Sequence, residues 1–271
     1  MFGIPKIWAG TQEAFDFLLV AMESAYQIVE ARAGSKDNPF ELPPLLEARD
    51  GVGIVAVKGP LVAGSAGFMR LFGVTGYADI RDALVEAVAD RSVKSIMLDV
   101  SSGGGAVEGA DEASRFVSQV SAMKPVLTYA SGGMASAAYW VGSAAQRRLA
   151  SQTSVVGSIG TMATHIEYSK QLEKDGVGAT IIRSGKWKAL ANSIEPLSAE
   201  GKAQLQSMVD DMNQIFESRV ATNLGISAKA VHDRMGQGRV FLGARALDVG
   251  LIDGLASYQE AFLATKMLVR G

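Results

Sequence analysis

From residue 51 onward, short apolar runs alternate with segments of helical period, and this alternation constrains the fold more than any other feature of the chain. Gly51–Lys58 is a β-rich run. Ile80, Ala83, Leu84, Ala87 and Val88 then fall at i, i+3, i+4, i+7 and i+8, one face of a helix that Asp79 is placed to cap. Ser95–Val100 reads as a short apolar strand, broken by Gly103-Gly104-Gly105. A helix over about 108–122, a strand over 125–130, a helix over 136–146 and a strand over about 147–151 follow. Strands separated by helices imply an α/β fold, a mainly parallel sheet wrapped by helices.

Beyond 151 the pattern is looser. Residues 154–163, with Gly157 and Gly160, read as a buried turn, followed by a helix near 165–175 and a strand over Gly178–Arg183. A long helix spans 199–223, with Leu205, Met208, Val209, Met212 and Phe216 on one stripe. A short helix near 227–235, the run Arg239–Leu242 and a helix near 257–268 complete the reading. Ahead of this region lie an amphipathic helix over 11–33 and a linker over 34–50 rich in Gly, Ser, Asn and Pro. The expected division is therefore 1–50 as helix and linker and 51–271 as the main domain.

Composition removes several function classes. Hydrophobic residues make up 48% and charged residues 20% of the 271, which suits a folded chain with a large core. A net charge of −2 without a basic run gives no reason to expect nucleic acid. The apolar stretch Phe17–Met22 is bracketed by Glu13, Asp16 and Glu23, far short of the ~20 apolar residues of a membrane span. No basic n-region with a small-residue cleavage site precedes it, so a cytoplasmic location is expected. With no cysteine, disulfides, thiol catalysis and thiolate metal sites are excluded, and no cofactor or metal is expected.

The chemistry centres on Ser136, in Gly132-Gly133-Met134-Ala135-Ser136-Ala137-Ala138-Tyr139-Trp140. A strand, a glycine turn and a helix start would bring one hydroxyl and several backbone N–H groups to one point, as a serine nucleophile requires. The blander reading is a turn or N-cap serine, and the G-x-S-x-G elbow of the α/β-hydrolases is absent. Candidate bases are few. His165 and His232 are the chain's only histidines, and each has an ordinary structural reading. Gly185-Lys186-Trp187-Lys188 offers lysines instead. A lysine base must shed ~3 units from its reference pKa, about 4 kcal/mol, which burial beside an apolar wall such as Trp187 would supply. Gly103-Gly104-Gly105, after a strand and before a helix, lets N–H groups turn toward an oxyanion. A phosphate cradle is the rival, but neither glycine-rich phosphate motif stands here, and a plain flexible connection is the remaining reading.

In order, the glycine turn, Gly-Gly-Met-Ala-Ser-Ala-Ala-Tyr, Val156-Gly157-Ser158-Ile159-Gly160 and Ser184-Gly185-Lys186-Trp187-Lys188 resemble the S49 serine peptidases. That family comprises the signal peptide peptidase A group and the phage capsid-maturation proteases, with a Clp protease/crotonase-like fold. His165-Ile-Glu-Tyr-Ser169, Glu195-Pro-Leu-Ser198 and Gly243–Gly254 are similar to the phage branch. The resemblance implies Ser136 as nucleophile, Lys188 as general base, and an oxyanion hole from Ala137 N–H and a turn glycine, Gly104 ahead of Gly103 or Gly105. It implies Ser158 as a supporting partner of the lysine, polypeptide substrates such as scaffold, capsid or signal-peptide segments, and a homo-oligomer in which the dyad is sometimes completed between subunits. One departure stands out: where the family turn commonly reads Ser-Pro-Gly-Gly, this chain has Ser102-Gly103-Gly104-Gly105. A soluble signal-peptide-degrading peptidase, a crotonase-like acyl-CoA enzyme and a non-catalytic assembly protein are the alternatives.

Overall fold

The structure is a computed structural model that describes residues 7–31 and 42–270. In chain order its elements begin with β1 (Trp8–Gly10), α1 (Gln12–Ala31), β2 (Leu46–Arg49), β3 (Val52–Lys58) and β4 (Leu61–Val62). A 3-10 segment, Gly67–Phe72, leads to β5 (Thr75–Gly76), α2 (Tyr77–Ala89), β6 (Ser95–Ser102), β7 (Gly104–Ala106) and α3 (Ala110–Met123). Then come β8 (Val126–Ala135), α4 (Ala137–Gly142), β9 (Arg147–Ala150), β10 (Val155–Gly157), α5 (Ser169–Lys174) and α6 (Ala199–Leu224). The chain closes with α7 (Ala228–Arg234), β11 (Val240–Leu242), α8 (Gly243–Val249), β12 (Gly254–Leu255) and α9 (Tyr258–Met267).

The expected architecture is present. The larger sheet runs β11-β10-β8-β6-β3-β2, with β9 on β8 and β12 on β9. The pairs β3–β6, β6–β8, β8–β9 and β8–β10 are all parallel, and β2 and β11 close the edges antiparallel. Its central strand, β6, carries Ile96, Met97 and Leu98 wholly buried, because helices cover both faces of the sheet. On one face α2, α3, α4 and α6 enclose the main core, including Leu84, Val117, Trp140 and Phe216. On the other, Ala261 and Phe262 of α9 pack on Ile54, Met97, Leu127 and Leu149. A second, four-stranded sheet runs β1-β7-β4-β5 beside a smaller cluster of Trp8, Leu18, Ala21 and Met69.

Two details of this frame matter later. β8 changes neighbours along its length, pairing with β9 through 127–130 and with β10 through 133–135. Its register with β6 shifts between Val100 and Ser102, so that Val100 faces Ala130 and Ser102 faces Met134. β8 therefore bulges at Ser131-Gly132-Gly133.

Several expectations change. Asp79 caps α2 from inside its first turn: its carboxylate accepts from Gly76 N at 3.1 Å, Ala66 N at 2.8 Å and Ser65 Oγ at 2.6 Å. Residues 34–41 of the expected linker lie outside the described residues, as do 32–33 of the expected helix, and Leu46–Arg49 of that stretch is a strand pairing with β3. The helix expected from 165 begins only at Ser169. No strand forms over 178–183, where Ile182 is 96% exposed. β-propensity needs a neighbour to accept backbone bonds and cover a face, and this segment has neither. Among the described residues, no helix is long and apolar enough to cross a membrane.

Candidate active site

β8 runs through the buried centre of the sheet and stops at Ala135, so Ser136 stands at a strand end with α4 starting behind it. Ser136 has φ +54° and ψ −124°, a conformation that costs a non-glycine residue about 1–3 kcal/mol. The surroundings impose it. Ser136 N–H donates to Gly157 O at 2.7 Å, and Ser136 O accepts from Trp140 N at 2.9 Å. α4 is fixed in turn, because Tyr139 Oη donates to Leu251 O at 2.8 Å and Trp140 stacks on Phe216 with centroids 4.2 Å apart. Burial pushes the Tyr139 phenol far above its usual range, so it remains a neutral donor. Ser136 itself is 1% exposed, and its hydroxyl makes no hydrogen bond within the described chain.

Beside it sits the glycine turn. Gly104 has φ +95°, and a Cβ there would lie 2.8 Å from Ala137 N, 2.9 Å from Ala135 O and 2.4 Å from Ala9 O. The backbone of Gly104 thus packs against the strand–helix junction with no room for a side chain. Ala137 opens α4, and its N–H has no acceptor among the described residues. Gly104 N–H, by contrast, donates to Ser102 Oγ at 3.1 Å, while Ser102 Oγ donates to Gly59 O at 2.6 Å. Ser102 therefore braces a turn that lacks proline.

The other predicted residues lie differently. Ser158, with φ +53°, follows the glycine that accepts from Ser136 N–H, and its own N–H donates to Arg239 O at 2.6 Å. Among the described residues, its hydroxyl makes no hydrogen bond to a lysine. Lys188 sits on an exposed irregular segment; its amide donates to Gly185 O at 3.1 Å and its ammonium has no partner among the described residues. Trp187 does not wall it in: the ring lies under Lys186 Nζ at 4.9 Å, and that ammonium pairs with Glu200 at 3.1 Å. So Ser136, Ala137 and Gly104 are brought together with Ser158 close by, and among the described residues Lys188 makes no hydrogen bond to any of them. Neither histidine bonds Ser136, since His232 pairs with Glu217 at 3.0 Å and His165 has a buried Nε2 without a partner.

Sequence reading missed a polar cluster that spans three parallel strands, β3, β6 and β8. Lys58 Nζ lies 2.7 Å from Asp99 and 3.2 Å from Ser131 Oγ, and Ser131 Oγ donates to Asp99 at 2.6 Å. This ion pair ties β3, β6 and β8 together. The only signal was Asp99 inside an apolar run, a half-buried charge in need of a partner. Among the described residues, no cluster of three or more His, Asp or Glu side chains is placed to hold a metal.

Residues 118–270 match peptidase family S49, a span that contains Ser136, Ser158 and Lys188 but not the glycine turn. The chain is 35% identical over 231 residues to capsid assembly protease C of Escherichia phage lambda, covering 85% of this chain and 52% of that protein. It is also 35% identical over 212 residues to head-tail preconnector protein GP5 of Enterobacteria phage P21, covering 78% and 42%. This chain thus spans about half the length of the curated relatives it matches. Among solved structures, a ClpP1 variant from Listeria monocytogenes is similar with a TM-score of 0.46 and 12% identity, over 77% of this chain and 93% of that one.

Proposed function

This chain belongs to peptidase family S49, and from that premise we propose that it is a serine endopeptidase acting through Ser136 and Lys188. The observation that carries the reading is the strained Ser136, held beside the unpaired Ala137 N–H and the Gly104 turn. Neutral Lys188 takes the Ser136 proton as Oγ bonds to the scissile carbonyl carbon. Ala137 N–H and a turn N–H receive the oxyanion. As the C–N bond breaks, Lys188 passes its proton to the leaving amine. A water then gives its proton to Lys188 and attacks the acyl ester, the C–O bond breaks, and the proton returns to Ser136.

Lys188 reaches Ser136 in a homo-oligomer, where the exposed segment around 176–198 packs on a neighbouring copy. What supports this is the lack of any intrachain partner for the Lys188 ammonium. The substrates are polypeptides of phage head assembly, scaffold or capsid, cut in the host cytoplasm inside immature heads. The two phage relatives, a capsid assembly protease and a head-tail preconnector protein, support that assignment.

The test combines labelling and mixing. A fluorophosphonate probe should label the parent protein and leave Ser136→Ala unlabelled. Ser136→Ala and Lys188→Ala, each inactive against a capsid-protein substrate, are then co-assembled. Recovered cleavage supports a dyad shared between copies, while no recovery places it within one chain. Absence of labelling and of cleavage in the assembled parent protein would sink the peptidase reading.

A further inference from the structure

Three residues far from Ser136 in sequence run along the wall of its site. β1 lies antiparallel to Gly104–Ala106, with Trp8 opposite Ala106, Ala9 opposite Gly105 and Gly10 opposite Gly104. Thr11 N–H donates to Gly103 O at 2.8 Å. Bonded pairs in an antiparallel ladder fall at every second residue, so Ala9 and Gly105 form the next one and Ala9 O takes the Gly105 N–H. On its other edge, Trp8 exchanges bonds with Met162, N–H to O at 2.9 Å and O from N–H at 3.0 Å. β1 is therefore a middle strand, gripped by the glycine turn on one side and by residue 162 on the other. Ala9 O and Ala137 N lie within 2.4 and 2.8 Å of one point, the place a Cβ on Gly104 would take. A backbone carbonyl of this chain's own N-terminal strand stands among the candidate oxyanion donors.

A polypeptide substrate has to engage such a wall in the same manner, as an extended strand whose N–H and C=O groups pair with the exposed edge. We propose that β1 is an internal occupant of the peptide groove: the chain closes its own site with Trp8–Gly10, and substrate enters when that strand is displaced. This rests on the peptidase reading and adds regulation to it. It also names the kind of peptide that competes. Ile7, just before β1, lines a cavity of about 810 Å³ together with Met69, Val107, Trp140 and Met212. A segment that takes the place of β1 is best held if it carries a large apolar side chain there.

Two variants and two readouts test the proposal on the full chain. Ala9→Pro removes the N–H that β1 offers to Gly105 O. Trp8→Cys with Met162→Cys puts the only two thiols of the chain on a bonded pair of strands, where the ~5.5 Å Cα spacing suits a disulfide. The first readout is the rate of fluorophosphonate labelling at Ser136. The second is the binding of a fluorescein-tagged peptide copying residues 5–12, followed by anisotropy. We expect Ala9→Pro to label at least tenfold faster and to bind the peptide at least tenfold tighter than the parent. The oxidised cysteine pair should fall below its own reduced form in both, which keeps the comparison valid even if Ala9→Pro does not fold. Equal labelling and equal binding in all forms overturn the proposal and leave the peptidase reading standing. No labelling in any form, with peptide binding still gained on freeing β1, removes the peptidase reading and keeps the occupant.

Discussion

Replacing Gly104 by alanine puts the packing of the site to a quantitative test. The residue has φ +95°, which L-amino acids adopt at a cost of about 1–2 kcal/mol. A methyl at that position would also meet three backbone atoms, Ala9 O, Ala137 N and Ala135 O, at 2.4, 2.8 and 2.9 Å. None of these is the flexible end of a side chain, so the strand–helix junction has to move, and overpacking of this kind costs about 1–3 kcal/mol. The expected loss of stability is about 2–5 kcal/mol. Gly64→Ala supplies the control, because Gly64 has φ +68° with nothing within 4 Å, and should cost only the conformational part, about 1–2 kcal/mol. Guanidinium unfolding with unchanged slope measures both. Under the proposed mechanism, Gly104→Ala should also lower the acylation rate of Ser136 about 10²–10³-fold by moving the Ala137 donor. If the two alanine variants are equally stable, the close approach of Gly104 to Ala137 is wrong and the oxyanion reasoning falls with it.

Trp140→Ala removes a buried ring stacked on Phe216 and should cost about 3–5 kcal/mol in the same assay. Asp111 joins α3 to α6 through Arg219 at 2.7 Å and also holds Arg115 at 2.6 Å; a double-mutant cycle of Asp111→Asn with Arg219→Ala should show coupling of about 0.5–3 kcal/mol. Burial pulls the Asp111 carboxyl upward, but hydrogen bonds from Arg219 and Arg115 outweigh it and hold it below the usual carboxylate range. Its stabilisation is therefore complete above the ordinary carboxylate value, near pH 4, and fades as pH falls through the lower folded value. The stability gap between parent and Asp111→Asn should be flat at neutral pH and narrow only in acid, and narrowing on the alkaline side would contradict this. Ser198 caps α6 by accepting from Gly201 N at 3.0 Å, so Ser198→Ala should lower the melting temperature by an amount corresponding to about 1 kcal/mol.

The elements most legible in the sequence were those with a long run of one period. Ile80–Val88 and the stripe Leu205–Phe216 announced α2 and α6, and the apolar runs 51–58 and 95–100 announced β3 and β6. What stayed hidden depends on partners distant in sequence. β1, β4 and β7 have two or three residues each, too short for any period, and exist because they pair with one another. Asp79 looked like an N-cap by position, yet it serves Ala66 and Ser65 as well as the helix start. At the candidate site, Ser136 and the turn Gly103–Gly105 were readable because a strand–helix junction and a run of glycines each leave a local mark, while Ala137 and Gly104 as the donors were implied by the resemblance. The strain at Ser136 was not, since it comes from Gly157 across the β8–β10 pair. Lys188 was read from a resemblance, and the strand expected before it does not form in the single chain.

The bulge in β8 gives the site a parity. Between the pairs Val100–Ala130 and Ser102–Met134, one residue of β6 stands against three of β8. Side chains alternate faces along a strand, so removing or adding a single residue in Ser131-Gly132-Gly133 would invert every orientation downstream while leaving the β6 and β9 pairings upstream intact. Ser136 would then leave its strand on the opposite face from the glycine turn. The length of this short stretch is thus as much a part of the site as its side chains: the protein counts residues here.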